Sequence, residues 1–241
     1  MNKTLLLIAI IALLSACTVT TVPGGRHVTG EGAMVSQTFE TEAFSAIDIR
    51  GNYVVTYRQS SESFLRVEMQ QNLIDYLQVE VRGHFLHVHS DVNFNTATGY
   101  TPRLYIYTSN LDRANFSGAI DARNWDTIYG NNFDINVSGG GNIAIEMEVE
   151  QFELSMSGGA NVELSGSATR ADISGSGGIN LTADSLQTRD TTISVSGAAN
   201  AVIAVSDSLD ASISGAGVIQ YVGDPDVTSS VSGIGSVRRR N

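Results

Sequence analysis

Apolar and polar residues alternate through most of the second half of the chain. Phe133-Asp134-Ile135-Asn136-Val137, Phe152-Glu153-Leu154-Ser155-Met156 and Leu209-Asp210-Ala211-Ser212-Ile213 all follow this spacing. Ile143-Ala144-Ile145-Glu146-Met147 and Val162-Glu163-Leu164 keep it on the far side of Gly-rich segments. A period of two marks a strand with one buried face. Gly and β-branched residues recur too often here to sustain helices, so the predicted class is all-β.

The Gly-rich segments repeat. SGGGNI from Ser138, SGGANV from Ser157, SGSGGI from Ser174, SGAANA from Ser196, SGAGVI from Ser214 and SGIGSV from Ser232 line up at steps of 19, 17, 22, 18 and 18 residues. Ser117-Gly118-Ala119-Ile120 reads as a degenerate earlier copy. The predicted turn glycines are Gly139, Gly158, Gly175, Gly197, Gly215 and Gly233, where positive φ or close backbone approach excludes a side chain. A meander of hairpins or a β-solenoid could carry such a repeat. The solenoid, parallel β-helix-like, is favoured because equivalent residues recur at equivalent places. Asn142, Asn161 and Asn200 hold the fifth position of their segments, and stacked units would set such amides about 4.8 Å apart.

Residues 37–116 read as a more irregular β region ahead of the Gly-rich repeats of 117–237. Ala46 to Ile49 and Tyr53 to Tyr57 flank Gly51-Asn52, a short turn signal. Leu77 to Val81 and Phe85 to His89 flank Arg82-Gly83-His84, a second one. One turn of helix is predicted near Gln71 to Tyr76. This region is expected to be an antiparallel sheet that covers the first repeat and protects its edge.

At the N-terminus, Lys3 precedes the apolar run Leu5 to Leu14. Ten residues are about half of the ~20 that a membrane-spanning helix needs. A basic start, a short apolar run and small residues make an export signal. The run ends in Leu14-Ser15-Ala16-Cys17, and Cys17 is the only cysteine. This resembles a bacterial lipoprotein signal, so residues 1–17 are assigned as signal peptide with Cys17 as the lipidated residue. With Thr18 in place of an Asp, the resemblance implies the outer membrane. Residues 18–36 read as a flexible tether, and residues 238–241 as a basic tail.

The triplet Gly178-Ile179-Asn180, the recurring SGxG turns and the segment GDPDVTSSVSGIGSV from Gly223 resemble the head GIN domain family. FSAIDIRGNYVVTYRQ from Phe44, LQVEVRGHFLHVHS from Leu77 and TPRLYIYTSNL from Thr101 extend the resemblance over nearly the whole chain after the export signal. The resemblance implies an all-β, solenoid-like fold on exported and often lipid-anchored proteins, named auto-transporter adhesins, with no established activity.

Charge narrows the function. From Ser117 to Val237 there are 15 acids against 3 arginines, which argues against nucleic acid as a partner. Calcium-binding Gly-rich repeats place an Asp directly after the turn; here that position holds Asn, Gly, Val or Ser. The acids therefore read as solubilising an exposed β surface. His87, His89 and Asp91 are the candidate metal ligands, since alternation puts them on one strand face. The same three residues also fit the polar face of a surface strand, and no metal or cofactor is expected. No serine lies in a GxSxG motif. Glu146, Glu148 and Glu150 share one outward strand face, and aromatics for stacking on sugars are mainly Trp125, Tyr129 and Tyr221. No catalytic residues are predicted. The expected function is a non-catalytic, lipid-anchored envelope protein that binds a glycan or envelope protein through a rigid β surface. A glycan-active enzyme and a purely structural component are the alternatives.

Overall fold

A computed structural model of the chain describes residues 26–96 and 99–240. The export segment and Cys17 lie outside the described residues. Among the described residues, eleven strands and one helical turn follow in order. They are β1 (His27–Thr29), β2 (Met34–Glu40), β3 (Ala46–Gln59), β4 (Phe64–Gln70), α1 (Gln71–Ile74), β5 (Leu77–Arg82) and β6 (Phe85–Ser90). Then come β7 (Asn93–Asn95), β8 (Arg103–Thr108), β9 (Arg113–Ala122), β10 (Ile128–Val222) and β11 (Asp226–Arg239). The all-β class holds, and the predicted helical turn falls at α1.

β10 is 95 residues of unbroken extended chain, against about 5–6 for an ordinary strand. It does not run straight. Its start, Asp134 to Ile143, pairs in parallel with Arg113 to Ala122 of β9, 21 residues earlier. Its end, Ser208 to Tyr221, pairs in parallel with Asp226 to Arg239 of β11, 18 residues later. Between these ends, residues 18 to 20 positions apart lie side by side, as Gly158 on Gly139, Gly177 on Gly158, Gly197 on Gly177 and Gly215 on Gly197. The pairing in these ladders is parallel, which hairpins cannot give.

The bends depend on glycine. Gly118, Gly139, Gly158, Gly177, Gly197, Gly215 and Gly233 all hold φ between 109° and 130°. A Cβ on any of them would fall inside 3.0 Å of the carbonyl oxygen of the glycine one unit earlier. Two constraints coincide there: an L side chain is strained at that φ, and no space exists for one. Gly175 departs from the series. Its φ is not positive, and the third unit bends at Gly177 instead. The unit therefore begins at Ser176, two residues later than the sequence alignment places it.

The N-terminal region departs from an antiparallel sheet. Gly51-Asn52 does not reverse the chain, because β3 continues through it from Ala46 to Gln59. Gly51 has φ 136° and lies directly beneath Gly118. β3 pairs in parallel with β6, β8 and β9, so the parallel ladder crosses residue 117 without a break. Among the described residues, antiparallel pairing is confined to β2 with β4, β4 with β8, and the hairpin of β5 and β6. In that hairpin Arg82 faces Phe85, and Gly83 supplies φ 64°. The strand order of the main sheet is β11-β10-β9-β3-β8-β4-β2.

One continuous apolar cluster runs from Phe44 to Ile219. It is built from the inward residues of the alternation, such as Ile135, Ile145, Leu154, Leu164, Ile193, Ile203 and Leu209, all 3% exposed or less. Phe133 and Phe152 stack at 6.3 Å between centroids, one unit apart. Trp125 closes the link between β9 and β10: its Nε1 donates to the Val55 carbonyl at 2.8 Å, and its ring packs on Tyr57 and Phe116.

Gly177 and Gly178 give a matched test, since Gly178 has open space around its Cβ position and no positive φ. Gly177→Ala is expected to lose about 2 kcal/mol or more of unfolding free energy. Gly178→Ala should stay within about 0.5 kcal/mol. Urea denaturation of both variants measures the difference, and equal stabilities would contradict the bend.

Candidate functional site

With the third unit re-registered, four units share one motif. Ser138-Gly139-Gly140-Gly141-Asn142, Ser157-Gly158-Gly159-Ala160-Asn161, Ser176-Gly177-Gly178-Ile179-Asn180 and Ser196-Gly197-Ala198-Ala199-Asn200 all read S-G-x-x-N. The Ser before each bend glycine and the Asn three residues after it keep the outward parity of the alternation. Outward rows of hydroxyls and amides therefore flank the glycine column on both sides.

The amide row is joined by hydrogen bonds. Asn161 Nδ2 donates to Asn142 Oδ1 at 3.0 Å, and Asn180 Nδ2 donates to Asn161 Oδ1 at 3.0 Å. Asn180 was not among the asparagines that the sequence alignment placed in the row. On the other flank, three residues before each bend glycine, a second row runs Asp48, Asn115, Asn136, Ser155, Ser174, Ser194, Ser212 and Ser230. Asn136 donates to Asn115 at 2.9 Å, Ser155 and Ser174 share a hydrogen bond at 3.0 Å, and Ser212 donates to Ser194 at 2.9 Å. A shallow groove of about 520 Å³ follows this flank, lined by Asp48, Arg50, Asn115, Ser117, Asn136, Ser138, Ser155, Ser157 and Ser174.

Asp48 starts the second row and carries its charge. Arg50 Nη2 donates to it at 2.8 Å, and His87 Nδ1 lies 3.1 Å from Oδ2. Burial pushes the carboxyl up, but the hydrogen bonds from Arg50 and His87 outweigh that and hold it below the usual aspartate range. The same contact raises Arg50.

The three candidate metal ligands do not converge. His87 turns to Asp48, while Asp91 accepts from Gln78 Nε2 at 3.2 Å. His89 pairs with Gln78 across the β5–β6 hairpin. Among the described residues, no three His, Cys, Asp or Glu gather closely enough to hold a metal ion. Glu146, Glu148 and Glu150 point outward in a row, all exposed. Of the expected sugar-stacking aromatics, Trp125 and Tyr221 pack against the core, and Tyr129 is half exposed.

A family model described as "Putative auto-transporter adhesin, head GIN domain" matches residues 43–225. The chain belongs to the head GIN domain family. Solved structures agree with its fold. A "putative adhesin" of Bacteroides fragilis superimposes with a TM-score of 0.80 at 22% identity, covering 88% of this chain and 100% of that one. A "putative adhesin" of Parabacteroides merdae gives 0.70 at 21%, covering 90% of this chain and 100% of that one. A Parabacteroides distasonis protein described as a "putative lipid binding protein" gives 0.70 at 19%, with the same coverage. At these identities the likeness carries the fold alone. No curated protein matches the chain.

For this head GIN domain, two outcomes follow from the rows. Asn161→Ala removes the middle of the amide row and should cost about 0.5–1 kcal/mol by urea denaturation. Asp48 is ionised more readily folded than unfolded, so its contribution to stability is present above about pH 4 and fades as pH falls through the lowered pKa. Melting temperatures of the wild type and Asp48→Asn should therefore differ at pH 7, and the gap should narrow progressively as the pH falls below about 4. A constant gap would show that the Asp48 charge is not what stabilises the row.

Proposed function

We propose that this protein is a non-catalytic lipoprotein of the cell envelope that presents the polar rows for adhesion to an extended partner, a glycan before a protein. In this reading the parallel units stack as a β-solenoid, and Cys17 carries the lipid anchor at the outer membrane. The observation that carries it is the four S-G-x-x-N motifs in register. They set hydroxyls and amides at one fixed spacing, about 4.8 Å per unit. A rigid, repeating row suits a partner that is itself long and repetitive. Family membership supports the adhesive reading.

The chemistry of the rows supports binding over catalysis. Ser155 hydrogen-bonds to Ser174, and Ser212 to Ser194, each in the neighbouring unit, an arrangement that satisfies hydroxyls without activating them. Amides and hydroxyls both donate and accept, as sugar recognition requires.

Soluble and envelope polysaccharides presented on an array test the reading. Replacing Asn142, Asn161 and Asn180 together by Ala should weaken the best binder at least tenfold, with the circular dichroism spectrum unchanged. Undiminished binding would move adhesion off the row, and turnover of any bound polysaccharide would favour an enzyme. For the anchor, Cys17→Ala should move the protein from the membrane to the soluble fraction; continued membrane association would refute lipidation there.

A further inference from the structure

β11 ends the sheet with its core unfinished. Among the described residues its one strand neighbour is β10. Val227, Val231 and Val237 stand in register with Leu209, Ile213 and Ile219, which are 2% exposed or less. Yet Val227 is 39% and Val231 42% exposed, and Ile234 at the bend is 86% exposed. Among the described residues, the inward column of Val227, Val231 and Val237 thus reaches the last strand with no further strand beyond it. Natural edge strands are usually blunted by Lys, Pro or an inward charge. β11 has no Lys or Pro over its 14 residues, and its charges, Asp226, Arg238 and Arg239, stand only at its two ends, so the free backbone groups between them form an open template.

The charges on this edge are self-complementary. Acids sit at its start, Asp224 and Asp226, and arginines at its end, Arg238 to Arg240. Arg239 and Arg240 are already held by Asp224 and Asp184, at 3.2 and 2.7 Å. Asp226 and Arg238 make no ion pair among the described residues. The strand bends at Gly233, φ 124°. A two-fold axis through the bend exchanges its two arms and reverses chain direction, which is what antiparallel pairing of two identical edges needs.

We propose that β11 is a self-association surface, on which two copies join end to end through an antiparallel β11–β11 pair with its two-fold axis at Ser232. This register sets Val227 opposite Val237 on the inward face and Asp226 opposite Arg238 on the outward face. Both members of each pair share a parity, so like faces meet. The core then runs through both copies without a break. Head-to-tail stacking on the opposite edge would set this 14-residue strand against the 7 residues of β2. The proposal stands apart from the adhesive reading, because it uses neither polar row.

The test is the mass of the full-length protein in detergent, by light scattering after size exclusion at tens of micromolar. A protein mass of twice the chain is expected. Asp226→Arg alone sets arginine against arginine and should weaken the dimer at least tenfold. Adding Arg238→Asp to the same chain should restore it. Ser232→Cys should form a disulfide between copies on mild oxidation, since the residue faces itself across the axis. Melting temperatures within a few degrees of wild type keep loss of association distinct from unfolding. A monomeric wild type overturns the proposal. So does a dimer indifferent to Asp226→Arg, or one that Arg238→Asp does not restore. Failure of Ser232→Cys to cross-link, as when the protein's own N-terminal segment covers β11, overturns it too.

Discussion

The close approach of backbone to backbone at the glycine column governs this fold. At each bend the carbonyl oxygen of one unit occupies the space where the next unit's Cβ would stand. That contact is possible only without a side chain, and it fixes the stagger between neighbouring units at the bend. Everything stacked on either side inherits the stagger. The inward Ile, Leu and Val residues fall into one continuous core, and the outward Ser and Asn fall into rows. A change at the column is therefore transmitted to both faces, whereas a change in a row stays local.

Burial supplies the driving force, and the bends supply uniqueness. At roughly 25 cal/mol for each Å² of apolar surface removed from water, the inward columns dominate the favourable side. Burial alone does not choose among registers that keep the same parity. The glycines make that choice, because a misplaced unit would drive a side chain into a carbonyl. The hydrogen-bonded amides then add a modest preference, as exposed neutral hydrogen bonds do.

The surface follows from the same arrangement. Acidic residues lie on outward positions, many engaged locally: Arg113 with Asp134, Arg123 with Asp121, and Arg189 with Asp207. Exposed pairs of this kind contribute little stability. Their effect is to leave the uncharged Ser and Asn rows beside the glycine column as a distinct band. Asp48, with Arg50 and His87, marks where that band begins, at the unit built from β3.

Much of this was legible in the chain. Alternation specified the strands and their buried faces, the recurring Ser-Gly pairs specified a repeat, and Arg82-Gly83-His84 specified a hairpin. Other features were not legible. Gly175 and Gly177 differ by two residues, and a pattern of period two is satisfied equally by either. The S-G-x-x-N motif at Ser176 was visible, but it competed with an equally good SG pair at Ser174. Gly51-Asn52 reads as a hairpin turn because a positive φ suits a reversal or a bend alike. The clustering of His87, His89 and Asp91 dissolved because Asp48, 39 residues away in the chain, takes His87. The sequence by itself determined which residues turn inward and that units repeat, since both are local properties of alternation and of glycine. Only the tertiary structure decided which glycine lies on which carbonyl, that β3 belongs to the parallel ladder, and which amides join into a row. Those depend on contacts between strands, and no local pattern encodes a neighbour's register.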